Sequence, residues 1–150
     1  MLRDDINHAL TAAMKAQDKA RVSTLRLVNA ALKNLDIEAR SGGKEALGDD
    51  AVLALLQKLV KQRQESASLY DQGHRPELAA AERAEIDIIR TFMPAEMSED
   101  EVGAAIAAAI AETGAASVKD MGKVMAALRA RYAGRMDFGK AGAAVKARLG

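Results

Sequence analysis

The chain has no cysteine and no tryptophan, two prolines, and four aromatic residues in 150 positions: Tyr70, Phe92, Tyr132 and Phe138. Without cysteine there is no disulfide framework, no thiolate metal site and no cysteine nucleophile. His8 and His74 lie in unrelated segments and share no metal-ligand spacing with another histidine or a carboxylate. So few aromatics argue against base stacking as the main way of holding a nucleic acid. Long hydrophobic runs are missing as well. The least polar stretch, Val102 to Ala111, falls far short of the roughly 20 apolar residues that cross a bilayer. The start, Met1-Leu2-Arg3-Asp4-Asp5, is acidic and carries no apolar leader. Together these absences predict a cytoplasmic protein with no membrane contact.

Nucleotide chemistry has no foothold either. Ser41-Gly42-Gly43-Lys44 lacks both the leading glycine of a phosphate loop and a Ser or Thr after the lysine. Gly122-Lys123 fails because Val124 follows it, and there is no Gly-x-Ser-x-Gly elbow. No cofactor and no metal are expected.

What is abundant is helix-forming: Ala, Leu, Lys, Arg, Glu and Gln dominate, and β-branched residues never alternate with polar ones over a strand's length. The reading is all-α. Apolar spacing near 3.6 defines seven helices. Ile6, Leu10, Ala13 and Met14 mark the first. The second starts near Asp18, a capping residue, and carries Val22, Leu25, Val28, Leu32, Leu35 and Ala39. After a loop from Ser41 to Gly48, Asp49 or Asp50 should cap a long third helix bearing Val52, Leu56, Leu59, Val60, Ala67 and Tyr70. Gly73 should end it. Pro76 opens the fourth, which should face Leu78, Ala81, Ile88, Ile89 and Phe92 inward and stop at Met93, because Pro94 disfavours helical geometry before it.

Ser98-Glu99-Asp100-Glu101 has the form of a capping box, with Met97 and Val102 as its hydrophobic staple. The fifth helix then runs on Val102, Ile106 and Ile110 to Gly114. Ser117 starts the sixth, with Val118, Met121, Val124, Met125, Leu128 and Tyr132 on its stripe and Gly134 at its end. Asp137 caps the seventh, held by Phe138, Val145 and Leu149. The expected organisation is two small helical subdomains, about four helices in 1–94 and about three in 95–150, hinged near Met93–Glu96.

The formal charge of +1 hides an uneven distribution. Residues 115–150 hold eight basic and two acidic side chains, a net of +6, which leaves −5 on residues 1–114. A basic segment of this kind is either a solvated surface or the footprint of a polyanion. Lys119 and Lys123 are four apart and share a face. Arg129 and Arg131 fall at the end of the same helix, where cations also suit its dipole. Arg135 and Lys140 flank the turn into the last helix, whose N-terminal amides would suit a phosphate. These six residues are the candidate RNA-binding set, and backbone and shape recognition of a folded RNA fits them better than base stacking. A second polar group comprises Arg26, Lys61, Arg63, Glu82 and Glu85, with Asn29 beside Arg26. Glu82 and Glu85 share a helix face near the apolar stripe, so an ion pair from Arg63 to one of them is the favoured reading, ahead of a ligand site or acid–base catalysis.

Several motifs together resemble the YqeY-like family. They are Met14-Lys15-Ala16-Gln17-Asp18-Lys19 with Ser23-Thr24-Leu25-Arg26-Leu27, Lys61-Gln62-Arg63-Gln64-Glu65-Ser66 with Tyr70 and Gly73-His74-Arg75, and Asp120-Met121-Gly122-Lys123-Val124-Met125 with Gly134-Arg135-Met136-Asp137. Phe92-Met93-Pro94 stands where the family usually has Tyr-Leu-Pro. The resemblance spans essentially the whole chain. It implies a two-part helical architecture shared with the C-terminal region of the B subunit of tRNA-dependent amidotransferase. By that likeness the chain is a module of GatB/YqeY type, a non-catalytic adaptor for tRNA or a tRNA-associated enzyme. The alternatives are an accessory part of a carbon–nitrogen ligase with glutamine as amide donor, acting with a partner enzyme, and a protein-interaction module with no RNA role. In the last case the acidic stretch 77–112, nine acidic and two basic residues, would dock a basic partner or the chain's own tail. DNA is not an expected partner, and the sequence leaves the oligomeric state open.

Overall fold

Apolar side chains that recur every three to four residues are buried together only if the backbone is helical. The computed structural model describes residues 1–43 and 47–150, and it is all-α, with no strand among them. The helices are α1 (Leu2–Lys15), α2 (Lys19–Ser41), α3 (Asp49–Gln72), α4 (Pro76–Arg90), α5 (Glu99–Thr113), α6 (Met121–Tyr132) and α7 (Phe138–Leu149). They form two compact units, unit 1 over Met1–Met93 and unit 2 over Pro94–Gly150. Lys44, the last residue of the rejected phosphate-loop candidate, lies outside the described residues.

Unit 1 buries Ile6 of α1, Leu25, Val28 and Leu32 of α2, Val52, Leu56 and Val60 of α3, and Ile86 and Ile89 of α4 in one cluster. The most extensive helix pairing is α3 on α4, and two small buried residues, Ala67 and Ala79, belong to these helices. Arg3 ties the start of α1 to the rest: its guanidinium forks onto Asp36 of α2 at 2.6 and 2.8 Å and also donates to the Leu47 carbonyl ahead of α3. Asp49, expected as the α3 cap, lies inside the helix. Gly48 occupies the cap, and Asp49 Oδ1 instead accepts the Leu2 N–H, one of the unpaired donors at the start of α1.

Two turns in unit 1 close in the same way. Gln17 (φ 57°) and His74 (φ 58°) are left-handed. Around them Asp18 N–H donates to Ala13 and Arg75 N–H to Tyr70, while Gln17 and His74 donate to Met14 and Asp71. This is the Schellman pattern. Gly73 caps the end of α3 as expected, at φ −84°, and the left-handed position falls one residue later on His74.

The inner face of α4 differs from the expectation. Ala81 is exposed, whereas Ala79, Ile86 and Ile89 are buried. Ala81 is about 200° round the helix from Ala79, so α3 selects one stripe and turns the other to water. The α-helical part also ends at Arg90, short of Met93. Thr91, Phe92 and Met93 donate to the carbonyls three residues back, a 3₁₀-type tightening ahead of Pro94.

Unit 2 packs Ala105, Ile106 and Ala109 of α5 against Val124, Met125 and Leu128 of α6, Met136, and Ala141 and Val145 of α7. The Ser98–Glu101 capping box forms in both directions at 3.2 Å, and Met97 and Val102 pack on this core. Gly114 ends α5 at φ 65°. The sixth helix begins later than expected. Val118–Asp120 is a 3₁₀ turn and Val118 is 41% exposed, because Asp120 turns back to accept the Ala116 and Ser117 N–H groups.

Gly114 and His74 occupy equivalent left-handed positions, so substitution should act with opposite signs. Gly114→Ala, in open space, should cost about 1 kcal/mol, and His74→Gly should gain about 0.5–1 kcal/mol. Urea melts of both variants would check this, and the same sign for both would refute it.

Candidate functional site

In unit 1 the polar group centres on Arg63. It stands on the α3 stripe between the buried Val60 and Ala67, so its aliphatic stem packs inward and its charge needs a partner. Its Nε donates to Glu85 Oε2 of α4 at 2.7 Å, and an Nη group donates to the Leu59 carbonyl at 3.1 Å. The Arg63 side chain is 13% exposed and that of Glu85 32%. Glu82, half-buried one turn earlier on α4, makes no hydrogen bond or ion pair among the described residues. Lys61 is exposed on α3. Arg26 belongs elsewhere: it is exposed on α2 and, with Gln17, Lys19, Val22, Ser23 and Leu27, lines an open groove of about 520 Å³ at the α1–α2 corner. The five residues grouped by sequence thus divide between the α3–α4 seam and this groove.

Breaking the seam from its acidic side strands a mostly buried guanidinium. Glu85→Ala should cost about 1–2 kcal/mol, more than Arg63→Met, which removes the charge and keeps the packing. Denaturant melts should give that order.

In unit 2 the basic residues fall into two kinds. Three of the four arginines are engaged, and the fourth, Arg148 of α7, is exposed and makes no ion pair among the described residues. Arg131 makes a two-pronged pair with Glu112, at 2.9 and 2.8 Å. Arg129 lies 5.8 Å from the centre of the Phe138 ring, in cation–π range. Arg135 Nε donates to the Ala95 carbonyl at 3.1 Å, and its own carbonyl accepts the Met97 N–H at 2.9 Å. Arg135 therefore clamps the segment leading into α5. The lysines are different: Lys119, Lys123, Lys140 and Lys146 are exposed and make no ion pair among the described residues. The arginine-rich sites were legible from the sequence as charge but not as internal contacts.

The α7 N-terminus was expected to offer its amides to a phosphate. Asp137 Oδ1 already accepts from Gly139 N–H at 2.9 Å and Lys140 N–H at 3.2 Å. Those donors are taken by the cap, and an anion would have to displace a carboxylate to reach them. The charge asymmetry also changes once the fold is known. Unit 2 includes the acidic α5 and holds eight basic and seven acidic residues, net +1, while unit 1 holds fourteen of each. The +6 segment is therefore folded with its own acidic neighbours.

Four carboxylates are held below their ordinary range. Hydrogen bonding from Arg3 does this to Asp36, from Arg83 to Asp71, from Ser98 to Glu101, and from the Ala116 and Ser117 amides to Asp120. A depressed carboxylate adds stability above its unfolded pKa and loses it as the pH falls through its folded one. Stability should therefore be level near neutrality and decline from about pH 4 downward. Asp120→Asn should make that acid decline shallower in pH-dependent melts.

No group of His, Asp and Glu among the described residues is arranged to hold a metal ion. No single helix described is long and apolar enough to cross a membrane. The class is thus an all-helical, two-unit protein whose polar side chains mostly serve internal contacts. Comparison with known proteins makes it specific: the Yqey-like protein family matches residues 3–149, and the chain belongs to that family. Relatives include the "Altered inheritance of mitochondria protein 41, mitochondrial" of Lachancea thermotolerans, 34% identical over 84 residues, covering 56% of this chain and 43% of that protein. The protein of the same name from Vanderwaltozyma polyspora is 33% identical over 85 residues, 56% of this chain and 44% of the other. That of Saccharomyces cerevisiae is 32% identical over 84 residues, again 56% and 44%. The matched part is less than half the length of these relatives. Their names overturn the expectation of a cytoplasmic protein. That expectation rested on missing cysteine and a polar N-terminal segment, and neither property distinguishes one reducing compartment from another.

Proposed function

We propose that this YqeY-like chain is a non-catalytic adaptor that binds tRNA, or an enzyme carrying tRNA, through unit 2. The observation that carries the reading is the division between Arg129, Arg131 and Arg135, engaged in internal contacts, and the exposed Lys119, Lys123, Lys140, Lys146 and Arg148, which make no ion pair among the described residues. Lys119 lies on the 3₁₀ turn ahead of α6 and Lys123 in the first turn of α6, with Lys140 and Lys146 on α7. Their ammonium groups neutralise phosphates and release counterions, which gives affinity without sequence readout. With Phe138 beneath Arg129 and few other aromatics, the target is a folded RNA recognised by backbone and shape. Arg129, Arg131 and Arg135 hold the surface in form. Any link to a carbon–nitrogen ligase using glutamine as amide donor runs through a partner enzyme, which supplies the catalytic groups. The relatives' names support a mitochondrial setting for this role.

The test is fluorescence anisotropy with labelled total tRNA across a salt series. Binding should weaken steeply with salt, and Lys119→Glu with Lys123→Glu should cost on the order of tenfold in affinity and flatten the salt slope by about 1–2. The melting temperature should fall only slightly, because neither lysine makes an ion pair among the described residues and the one contribution given up is the attraction of Lys123 for the Asp120 carboxylate. Arg135 is unsuitable for this purpose, since its loss would loosen the Ala95–Met97 clamp. Absence of binding at about 50 mM salt, where electrostatic binding is strong, would overturn the proposal.

A further inference from the structure

The groove at the α1–α2 corner has a chemistry that the RNA reading does not use. Lys19, Val22, Ser23 and Arg26 follow one another at i, i+3, i+4 and i+7, so they share one face of α2. The two cations, Lys19 and Arg26, therefore have Cα atoms about 10 Å apart along the helix. Both are exposed, and neither forms an ion pair among the described residues. No carboxylate lines the groove. The neighbouring Asp18 turns to accept the Arg21 N–H as the α2 cap, and Arg21 itself lies over the Phe92 ring. Val22 lies between the cations along the helix, and Leu27, just past Arg26, adds an apolar side chain that is 49% exposed. Gln17, on the rim, is held left-handed by the turn that closes α1.

Three kinds of occupant can be compared on this chemistry. A small anion would gain little from two solvent-screened cations and would leave Leu27 in water. A nucleic acid would find no aromatic ring in the groove on which to stack. An amphipathic helix with carboxylates seven residues apart and leucines on the same face would satisfy both charges and cover Val22 and Leu27. The spacing, the unopposed positive charge and the exposed leucine agree on the last. We propose that this groove is a docking site for an acidic amphipathic helix of a protein partner. The site stands on unit 1 alone and does not depend on RNA binding by unit 2.

The probe is a fluorescent synthetic peptide of roughly 16 residues, long enough for marginal helicity, with glutamates seven apart and leucines on the same face. A control peptide carries lysines in place of the glutamates. The full chain should bind the acidic peptide and not the control. Lys19→Glu with Arg26→Glu should weaken the acidic peptide by about tenfold and bring in the lysine peptide, a reciprocal swap expected only of direct charge contact. Leu27→Ser should weaken it a few-fold, and Lys119→Glu with Lys123→Glu should leave it within about twofold. Amide chemical shifts on titration should move chiefly in residues 17–27. Failure of the acidic peptide to bind at millimolar concentration, or equal binding of both peptides, would overturn the proposal. So would a Lys19/Arg26 reversal that lowers tRNA affinity and spares the peptide.

Discussion

A guanidinium cannot sit on an apolar seam without a partner, and that constraint sets how α3 meets α4. Arg63 occupies a stripe position that would otherwise be taken by a leucine, with Val60 on one side and Ala67 on the other. Burial of its stem is favourable, but burial of its charge is not unless Glu85 lies across from it at hydrogen-bonding distance. Sliding α4 along α3 by a turn would separate the pair and strand the charge. The ion pair therefore selects a register among those that apolar packing alone would permit. The same register puts Ala79, Ile86 and Ile89 inside and Ala81 in water. The remaining unit 1 contacts, including the fork from Arg3 to Asp36, are consistent with a bundle already fixed along this pair.

Three of the four arginines in unit 2 have different work from its lysines, and their chemistry explains the division. A planar guanidinium can fork onto Glu112, lie over Phe138 or reach a backbone carbonyl such as that of Ala95, and Arg131, Arg129 and Arg135 do these three things. An ammonium group is more strongly hydrated and remains in solvent at Lys119, Lys123, Lys140 and Lys146. A net charge summed along the chain treats all eight cations alike. Folding separates them, and it also brings five acidic residues between Glu96 and Glu112 into the same unit. The difference between +6 for a segment and +1 for the unit is why position, more than total charge, bears on any contact with phosphate.

Much of the backbone plan was legible because its signals are local. Asp18, Ser98 and Asp137 cap helices through hydrogen bonds to amides two or three residues away, and Gly114 closes α5 through its own left-handed geometry. Membership of the YqeY-like family was legible for the same reason, since its motifs are short and ordered. The misreadings share a different character. Asp49 has a capping residue's chemistry, but a distant N–H, that of Leu2, claims its carboxylate. Val118 reads as helical core until the Asp120 carboxylate pulls the backbone into a 3₁₀ turn. The open amides expected at α7 were in fact occupied by the very residue identified as their cap.

By itself the sequence determined the all-α class, the seven helices and most of their ends, because propensity, 3.6-residue periodicity and capping act within a few residues of chain. It also favoured an ion pair from Arg63 to Glu82 or Glu85 over a ligand site or catalysis. Tertiary structure alone decided that the carboxylate is Glu85, that Arg26 parts from Arg63 to face a groove with Lys19 and Leu27, and that Arg135 is a clamp. Those outcomes depend on which surfaces of different helices exclude water together. Local periodicity can offer more than one such surface, and only packing chooses between them.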